Sequence, residues 1–403
     1  MLDKKTLKDK WINIADIIVE YCLYGAIFFI PKSKAAIEIF VCLAIFFFLI
    51  KKILKPDFKF LKSISCLFLL LFIVFSALSI FNSHIYIKKG LRALIGKWME
   101  YAIIFLLVKD TLKNKIRFRN AIFILLIFGV VVGIDGFIQG LSGVELLWDN
   151  PMGVTNNGLA AITGPFRHHN DFGAYLLVII ALMIGIWLSD NLKFINKILL
   201  AFCIGLLLLS MLLAYSRGSW LGFIFALILM LALSRRFKLI IPLLSIFILL
   251  LFFLPGVKGR SILTFQFNSP NLLIWNDADR FRVWGVAFRM IRENPFLGKG
   301  LGTFMDYFSK YKPNIVVQYA HNCFLQIWAE AGIFSLVSFL AFAASVLFEG
   351  INKFKQNNDF VLLGLVASMF AFLVHSFFDT NLYSLQLSIL FWLCMGLVSA
   401  KAR

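Results

Sequence analysis

The sequence predicts an all-α polytopic membrane protein, for three reasons. Hydrophobic residues make up 61% of the chain and charged residues only 15%, and the mean hydropathy is +0.88. Apolar runs of about 20 residues, the length that crosses a bilayer as a helix, recur along nearly the whole chain. The segments between them are alternately rich and poor in lysine and arginine. We therefore expect a single integral membrane domain over residues 1–403.

Twelve apolar segments are candidates for membrane-spanning helices. Most carry their few charged residues at or near their ends, where a charge costs less than it does in the middle of the hydrocarbon layer. The segments are residues 13–30, 35–50, 63–81, 91–108, 120–138, 171–188, 197–214, 218–234, 239–254, 321–348, 360–378 and 381–399.

Basic residues orient these spans, because the cytoplasmic loops of membrane proteins carry an excess of lysine and arginine. If the amino terminus is cytoplasmic, every segment on that side is basic, and the short turns on the other side hold far fewer cations. We therefore expect both termini in the cytoplasm. The net charge of +19 then reflects topology and attraction to membrane lipids, and it does not indicate nucleic acid binding.

Two segments on the outer side are long, residues 139–170 and residues 255–320. Loops of this length are usually functional. The second contains an amphipathic helix, in which we expect Phe281, Trp284, Phe288 and Ile291 to form the apolar face. This face would point to lipid or to the helix bundle, and the arginines would point to lipid head groups. The three alternating glycines that follow, at positions 298, 300 and 302, predict a tight turn more strongly than a phosphate-binding loop.

The stretch YAHNCFLQIWAEAGIFSL, residues 319–336, carries polar residues into an apolar helix. Asn322, Gln326 and Glu330 lie four residues apart and so share one face, which must point into the helix bundle or a wet cavity. His321 lies where the long loop re-enters the membrane, and an imidazole there suits a general base that takes a proton from a hydroxyl group. A structural hydrogen bond at the interface is the alternative for His321.

Arg217, in LLAYSRGSWLGF, lies at the outer end of two apolar segments, where its guanidinium group can bind a diphosphate. Arg167 in GPFRHHNDFGAYL has similar access, with His168, His169 and Asn170 beside it. For both Arg217 and Arg167, the alternative is a side chain that extends to a lipid phosphate and binds no substrate. The histidines and cysteines have no spacing that indicates a metal site, so we expect neither a metal nor a cofactor.

Two motifs together resemble the O-antigen ligase family, whose membrane domain is shared with O-antigen polymerases. The first is His321 and Asn322 followed by nine residues and Gly332, with Ser335 where the family has Gly, Thr or Tyr. The second is Arg217, three residues, and Leu221. The resemblance covers residues 140–345. It agrees with the all-α architecture of about twelve transmembrane helices and with the long outer loop over residues 255–320. It implies that the protein lies in the bacterial inner membrane and that this loop is periplasmic.

The resemblance also implies an activity. A member would be a glycosyltransferase that takes glycan from an undecaprenyl diphosphate carrier and passes it to lipid A-core on the periplasmic side, by metal-independent transfer that inverts the anomeric carbon. His321 would activate the acceptor hydroxyl, Arg217 would hold the diphosphate with Arg280 or Arg289, and Asn322 would orient the histidine or the sugar. We add Arg167 and His169 as candidate substrate-binding residues.

Two alternatives stay open. An O-antigen polymerase would use the same donor but a lipid-linked glycan as acceptor, and nothing in the sequence identifies the acceptor. A transporter for the lipid-linked sugar would be expected to have broken spans and ionisable groups near the middle of the membrane. Some of the acidic residues in or near the spans fit either activity: Asp16, Glu20, Glu38, Glu100 and Asp135 in the first five, and Asp379 near the outer end of the eleventh.

Overall fold

The protein is described by a computed structural model over residues 4–83, 85–155, 160–253, 277–312 and 319–401, and nearly all of its regular structure is helical. The first helices are α1 (Lys4–Phe29), α2 (Lys34–Leu54), α3 (Ile64–Phe81), α4 (Ile87–Ala93), α5 (Glu100–Thr111) and α6 (Lys115–Ser142). A two-stranded antiparallel ribbon, β1 (Gly153–Val154) and β2 (Ala160–Ala161), follows.

The helices of the second half begin with α7 (His169–Trp187), α8 (Phe194–Leu213), α9 (Arg217–Leu233) and α10 (Ile240–Phe253). After residues 254–276, which lie outside the described part, come α11 (Asp277–Glu293), α12 (Phe304–Tyr311), α13 (Cys323–Asn357), α14 (Phe360–His375) and α15 (Leu385–Lys401).

Each of the twelve predicted spans coincides with a helix, and the fourth is built from α4, a π-helical turn over Leu94–Met99, and α5. In the described part of the chain, six helices are long and apolar enough to cross a membrane: those that contain Leu7–Phe29, Ile64–Phe81, Lys115–Ser142, His169–Trp187, Phe194–Leu213 and Cys323–Asn357. The protein is therefore an all-α membrane protein, and the count of twelve spans stays a prediction.

The centre of the molecule is formed by α7, α14 and α15, whose side chains are almost all buried. Helix α14 packs against both α7 and α9, and α13 packs against α3. The backbones of α7 and α14 approach closely because Gly185 faces Gly364: a Cβ added to Gly185 would lie 2.4 Å from the Cα of Gly364. Small residues at a helix contact are typical of packing in membranes, where close backbone approach replaces the hydrophobic effect.

Ion pairs join the helices at the end where we predict the cytoplasm. Lys51 and Lys52 of α2 both pair with Asp110 of α5, the latter at 2.8 Å. Arg117 of α6 pairs with Asp16 and Glu20 of α1. These acidic side chains therefore serve to hold four helices together.

Helix α13 is kinked at Gly332, which has φ 82° and ψ 173°. The glycine-rich segment after Pro295 fits into this kink: Lys299 N donates to Ala329 O and Gly300 N to Glu330 O, both at 2.9 Å, and Ile333 N donates to Pro295 O at 3.0 Å. The backbone N–H groups of the glycine turn thus bind carbonyl oxygens that the kink exposes. This confirms the prediction of a turn and leaves those N–H groups unavailable to a phosphate.

The polar stripe of α13 is satisfied by the same elements. Gln326 and Glu330 are buried, as predicted. The side chain of Gln326 accepts a bond from Ala320 N at 2.8 Å and donates to Glu330 at 3.3 Å, and Glu330 also accepts a bond from Phe304 N at 3.1 Å. The stripe therefore fastens the outer segments onto α13.

We expect Gly332→Ala to destabilise the protein by about 3 kcal/mol or more, because the backbone conformation is essentially restricted to glycine and an added Cβ would lie 2.0 Å from Phe296 O. The measurement is thermal unfolding in a fixed detergent. Gly205→Ala is the control, since a Cβ at Gly205 in α8 meets nothing within 4 Å and alanine favours a helix by about 0.5–1 kcal/mol. Equal unfolding temperatures for the two variants would contradict this account of the kink.

Helix α11 confirms the predicted amphipathic helix but buries a different face. The buried residues are Val283, Val286, Ala287, Met290 and Ile291, and of the four residues in the predicted apolar face only Ile291 is among them. Phe281 and Phe288 are exposed. Exposure of Phe281 and Phe288 is what the lipid-facing alternative predicts, while a second apolar stripe on the same helix packs against the protein.

Candidate active site

The amino termini of three helices meet at the end of the bundle opposite the ion pairs. His168 is the N-cap of α7, Ser216 that of α9, and Asn322 that of α13. His169 Nδ1 lies 2.8 Å from Ala214 O, which joins the start of α7 to the start of α9. Helix amino termini carry a partial positive charge, so this arrangement favours a bound anion.

The carboxyl-terminal end of α14 completes this region. Cys323 N, in the first turn of α13, donates to Ser376 O at 2.9 Å. His375 Nε2 lies 3.4 Å from Ser216 Oγ, and Asn381 Nδ2 lies 3.3 Å from His375 Nδ1. His375 and Asn381 are buried, so a polar network beneath the surface ties α9, α13 and α14 together.

His321 lies at the mouth of this region, immediately before the N-cap of α13. Its side chain is 36% exposed, and its Nδ1 lies 3.8 Å from Asp379 Oδ1. Its φ of 51° places it in the left-handed region, which is unusual for a residue other than glycine. Such strain collects at functional sites, where the surroundings fix an unfavourable conformation. The imidazole is thus accessible, and a carboxylate lies on one side of it.

Asp379 is the partner that sequence reasoning did not identify as a site residue. Burial raises the pKa of a carboxyl group, but the contact with His321 and the electrostatic interactions with His375, His321 and Arg280 outweigh burial and hold the pKa of Asp379 below its usual range. Asp379 is therefore an anion at neutral pH. In that state it can orient the imidazole ring and stabilise the imidazolium ion that forms when His321 takes a proton.

We expect Asp379→Asn to lower kcat by part of the roughly 10²- to 10⁴-fold that general base catalysis supplies, with KM for the donor unchanged. The lowered pKa of Asp379 also stabilises the folded protein. This stabilisation is present above about pH 4, the ordinary pKa of a carboxyl group, and it is lost as the pH falls towards the pKa of Asp379 in the folded state. The difference in unfolding temperature from wild type should therefore shrink below about pH 4. Asp190→Asn, at an exposed partner of Arg236, is the control; an equal kcat for both variants would contradict the role of Asp379.

Two of the predicted arginines lie in the same region, the group of side chains around His321 and Asp379 that we call the cleft. Arg217 is the first residue of α9 and is exposed, and it lies two residues after Tyr215, whose φ is also positive at 51°. Arg280 lies in the first turn of α11, close enough to act electrostatically on Asp379 and His168. Helix α11 is anchored there because Trp284 Nε1 donates to Ala320 O at 3.0 Å, one residue before His321.

Arg289 is placed elsewhere. It lies nine residues after Arg280, about 13 Å further along α11. It pairs with Glu293 at 3.5 Å, and its guanidinium carbon lies 4.7 Å from the centroid of the Tyr311 ring. Of the two loop arginines suggested by sequence, Arg280 is the one that the structure brings close to Asp379.

The other predicted residues surround the cleft. Asn322 is buried, and its side chain accepts a hydrogen bond from Leu325 N at 3.0 Å, so its contact in the fold is with α13 itself. Arg167 is exposed, next to His168. The rings of His168 and His169 stack with centroids 4.5 Å apart. These residues form the side of the cleft near α7.

Within the part of the chain that the structure describes, no three His, Cys, Asp or Glu side chains are grouped so that they could hold a metal ion. The positive charge around His321 comes instead from arginine side chains and helix amino termini. Both can stabilise an anion directly.

Comparison with protein families agrees with this geometry. Residues 201–340 match the family model Wzy_C, described as O-antigen ligase. This part of the chain is therefore similar to the O-antigen ligase domain that the model describes. Proteins of this family are glycosyltransferase-like enzymes that act on lipid-linked glycans. A search among curated proteins finds no significant match.

The O-antigen ligase match runs from α8 into α13 and so includes Arg217, Arg280, Arg289 and His321. It confirms the resemblance carried by the two sequence motifs over residues 201–340. Asp379 and His375 lie beyond the matched residues and reach the same cleft only through folding.

Proposed function

We propose that this protein is an O-antigen ligase that transfers glycan from an undecaprenyl diphosphate carrier to lipid A-core. The observation that carries the proposal is the grouping of four side chains: His321 lies beside Asp379, with Arg217 and Arg280 at the same end of the bundle. A base and two fixed cations are what a transfer from a diphosphate carrier to a hydroxyl group requires. The O-antigen ligase family match supports the same donor class.

In the proposed reaction, the acceptor hydroxyl oxygen attacks the anomeric carbon of the donor glycan. His321 takes the hydroxyl proton as the new carbon–oxygen bond forms, and the bond from the anomeric carbon to the phosphate oxygen breaks. The diphosphate leaves with the bonding electron pair, and Arg217 and Arg280 stabilise its growing negative charge. The carbon is attacked opposite the leaving group, so its configuration inverts.

We place the reaction at the outer face of the bacterial inner membrane, with both termini in the cytoplasm. The basic segments of the sequence support this orientation. With that orientation, the membrane segments that precede Arg217, His321 and Asp379 in the sequence all end on the outer side. The donor diphosphate and the acceptor would therefore be reached from the periplasm.

The transporter alternative would use acidic residues within the spans. Asp16 and Glu20 pair with Arg117, and Asp135 accepts a hydrogen bond from Leu146 N at 2.9 Å. Contacts of this kind are structural, so these three residues give no support to the transporter.

Transfer in vitro tests the proposal. Purified protein is mixed with lipid-linked glycan, with and without lipid A-core, and with a metal chelator present throughout. We expect glycosylated lipid A-core only where the acceptor is present, and no loss of activity with the chelator.

Other outcomes distinguish the alternatives. Longer lipid-linked chains in the tube without lipid A-core would make the protein a polymerase. Loss of activity with chelator, restored by a divalent metal, would contradict the metal-independent mechanism. Transport of the lipid-linked glycan across vesicles, without transfer in either tube, would contradict an enzymatic function.

A further inference from the structure

The last residue of α14, His375, lies in the interior of the bundle directly behind Arg217. It is buried, and it takes no part in the proposed reaction. Its ring contacts both neighbours of Arg217 in the chain: Nε2 lies 3.4 Å from Ser216 Oγ, and a Cβ added to Gly218 would lie 3.1 Å from His375 Cδ2. Burying a polar ring among apolar helices is costly unless it is hydrogen-bonded, so its hydrogen bonds show what it does there.

The side chain of Asn381 determines which nitrogen of the His375 ring carries the hydrogen. Asn381 Nδ2 lies 3.3 Å from His375 Nδ1 and 3.5 Å from Phe372 O. The amide oxygen lies on the other side, 2.7 Å from Ser376 Oγ. An amide NH₂ group can only donate, so His375 Nδ1 accepts and the ring hydrogen is on Nε2. His375 therefore donates to Ser216 Oγ.

This hydrogen bond holds Ser216 at the start of α9. Ser216 is the N-cap of that helix, where a serine side chain usually binds a backbone N–H group of its own helix. Here the Ser216 side chain makes no such bond, and its Oγ accepts from His375 and from Ser219 Oγ, the latter at 3.0 Å. The turn that presents Arg217 is thus fixed from inside the bundle by His375.

The pair of His375 and Asn381 also contacts the segments that carry the proposed base and its carboxylate. Cys323 Sγ donates to Asn381 Oδ1 at 3.3 Å, and Cys323 follows His321 by two residues. Asp379 N donates to His375 O at 3.1 Å. Two buried side chains therefore join the arginine, the base and the carboxylate, which lie on three different segments.

We propose that His375 is a positioning residue that directs Arg217 relative to His321. The inference rests on the proposed function and adds to it a buried residue that acts through Ser216. A guanidinium group binds two phosphate oxygens only in a fixed geometry, and a displacement of about 1 Å can cost about 100-fold in rate. The action of Arg217 on a diphosphate therefore depends on the hydrogen bond from His375 to Ser216.

The first test measures binding and compares two buried serines. Ser216→Ala removes the acceptor of the His375 bond. Ser76→Ala is the matched control, because Ser76 Oγ lies 2.7 Å from Ser335 Oγ in a buried contact between α3 and α13. The Kd for undecaprenyl diphosphate is measured with purified protein in phosphatidylglycerol vesicles. We expect Ser216→Ala to raise Kd about 10-fold, as the loss of one charge-assisted hydrogen bond does, and Ser76→Ala to stay within about 2-fold of wild type.

The comparison separates positioning from stability, because each variant loses one buried contact between helices. An unchanged Kd in Ser216→Ala, or an equal rise in Ser76→Ala, would overturn the inference.

The second test asks whether His375 acts through Arg217. His375→Leu removes both hydrogen bonds of the ring, whereas His375→Gln keeps a donor and an acceptor. We expect His375→Leu to raise Kd for undecaprenyl diphosphate about 10-fold and to lower kcat/KM about 100-fold, and His375→Gln to recover most of both losses. In an Arg217→Ala background, His375→Leu should change Kd less than about 2-fold, because the group that His375 directs is absent. Equal losses in both backgrounds, or for both replacements, would overturn the inference.

The two proposals fail in different ways. If wild type binds undecaprenyl diphosphate and Ser216→Ala weakens this binding, but no glycan is transferred, the proposed function fails and the role of His375 stands. If wild type transfers glycan and Ser216→Ala binds and transfers equally well, the enzyme stands and the role of His375 fails. If wild type does not bind the lipid diphosphate, both fail.

Discussion

His321→Asn is expected to lower kcat about 10²- to 10⁴-fold, the usual contribution of a general base, with little change in KM for the donor. Asparagine is the suitable replacement because it tolerates the left-handed conformation that His321 adopts, with φ of 51°. The fold of the segment between α11 and α13 should therefore survive. An asparagine amide cannot accept a proton at neutral pH, so only the chemical step is lost.

Initial rates over a range of donor concentrations provide the measurement. Asn358→Ala is the matched control, because Asn358 caps the opposite end of α13 and also has a left-handed conformation, with φ of 50°. Its activity should equal that of wild type. A His321→Asn enzyme that retains more than about one tenth of wild-type kcat would contradict the role of His321 as general base.

Arg217→Ala is expected to lower kcat/KM about 10²- to 10³-fold, as the loss of a group that stabilises developing negative charge usually does. Arg217→Lys should recover only part of this loss, because an ammonium group keeps the charge but cannot bind two phosphate oxygens in the fixed geometry of a guanidinium group. The reduction should affect both donor affinity and kcat, unlike the reduction for His321→Asn.

The matched control for Arg217 is Arg236→Lys. Arg236 follows the other end of α9 and binds Asp190 at 2.9 Å, far from the cleft. Donor binding and single-turnover transfer are measured for both variants. If Arg217→Ala binds the lipid diphosphate as tightly as Arg236→Lys and wild type do, Arg217 does not hold the leaving group.

Local patterns in the sequence predicted much of the fold. Apolar runs coincide with the helices, because the cost of exposing backbone groups to lipid leaves few other structures for such a run. The polar stripe of Gln326 and Glu330 was correctly predicted to be buried for the same reason. The sequence did not show that this stripe has a structural role, because its partners in the glycine turn and α12 come from other parts of the chain.

The incomplete site prediction has a physical reason too. Asp379 lies in a different segment from His321, and only the packing of α14 against α13 brings them within 3.8 Å. A single acidic residue after an otherwise apolar span was the available signal. Arg280 and Arg289 were equivalent in the sequence, and the anchor at Trp284 together with the pairing of Arg289 to Glu293 separates them.

The anomeric configuration of the new glycosidic bond is the most direct test of the central claim, that an acceptor hydroxyl activated by His321 displaces the diphosphate held by Arg217 and Arg280. A donor of known anomeric configuration is converted by the purified protein, and the configuration of the product is determined by nuclear magnetic resonance. We predict inversion. Retention would require a glycosyl–enzyme intermediate and would contradict the direct displacement.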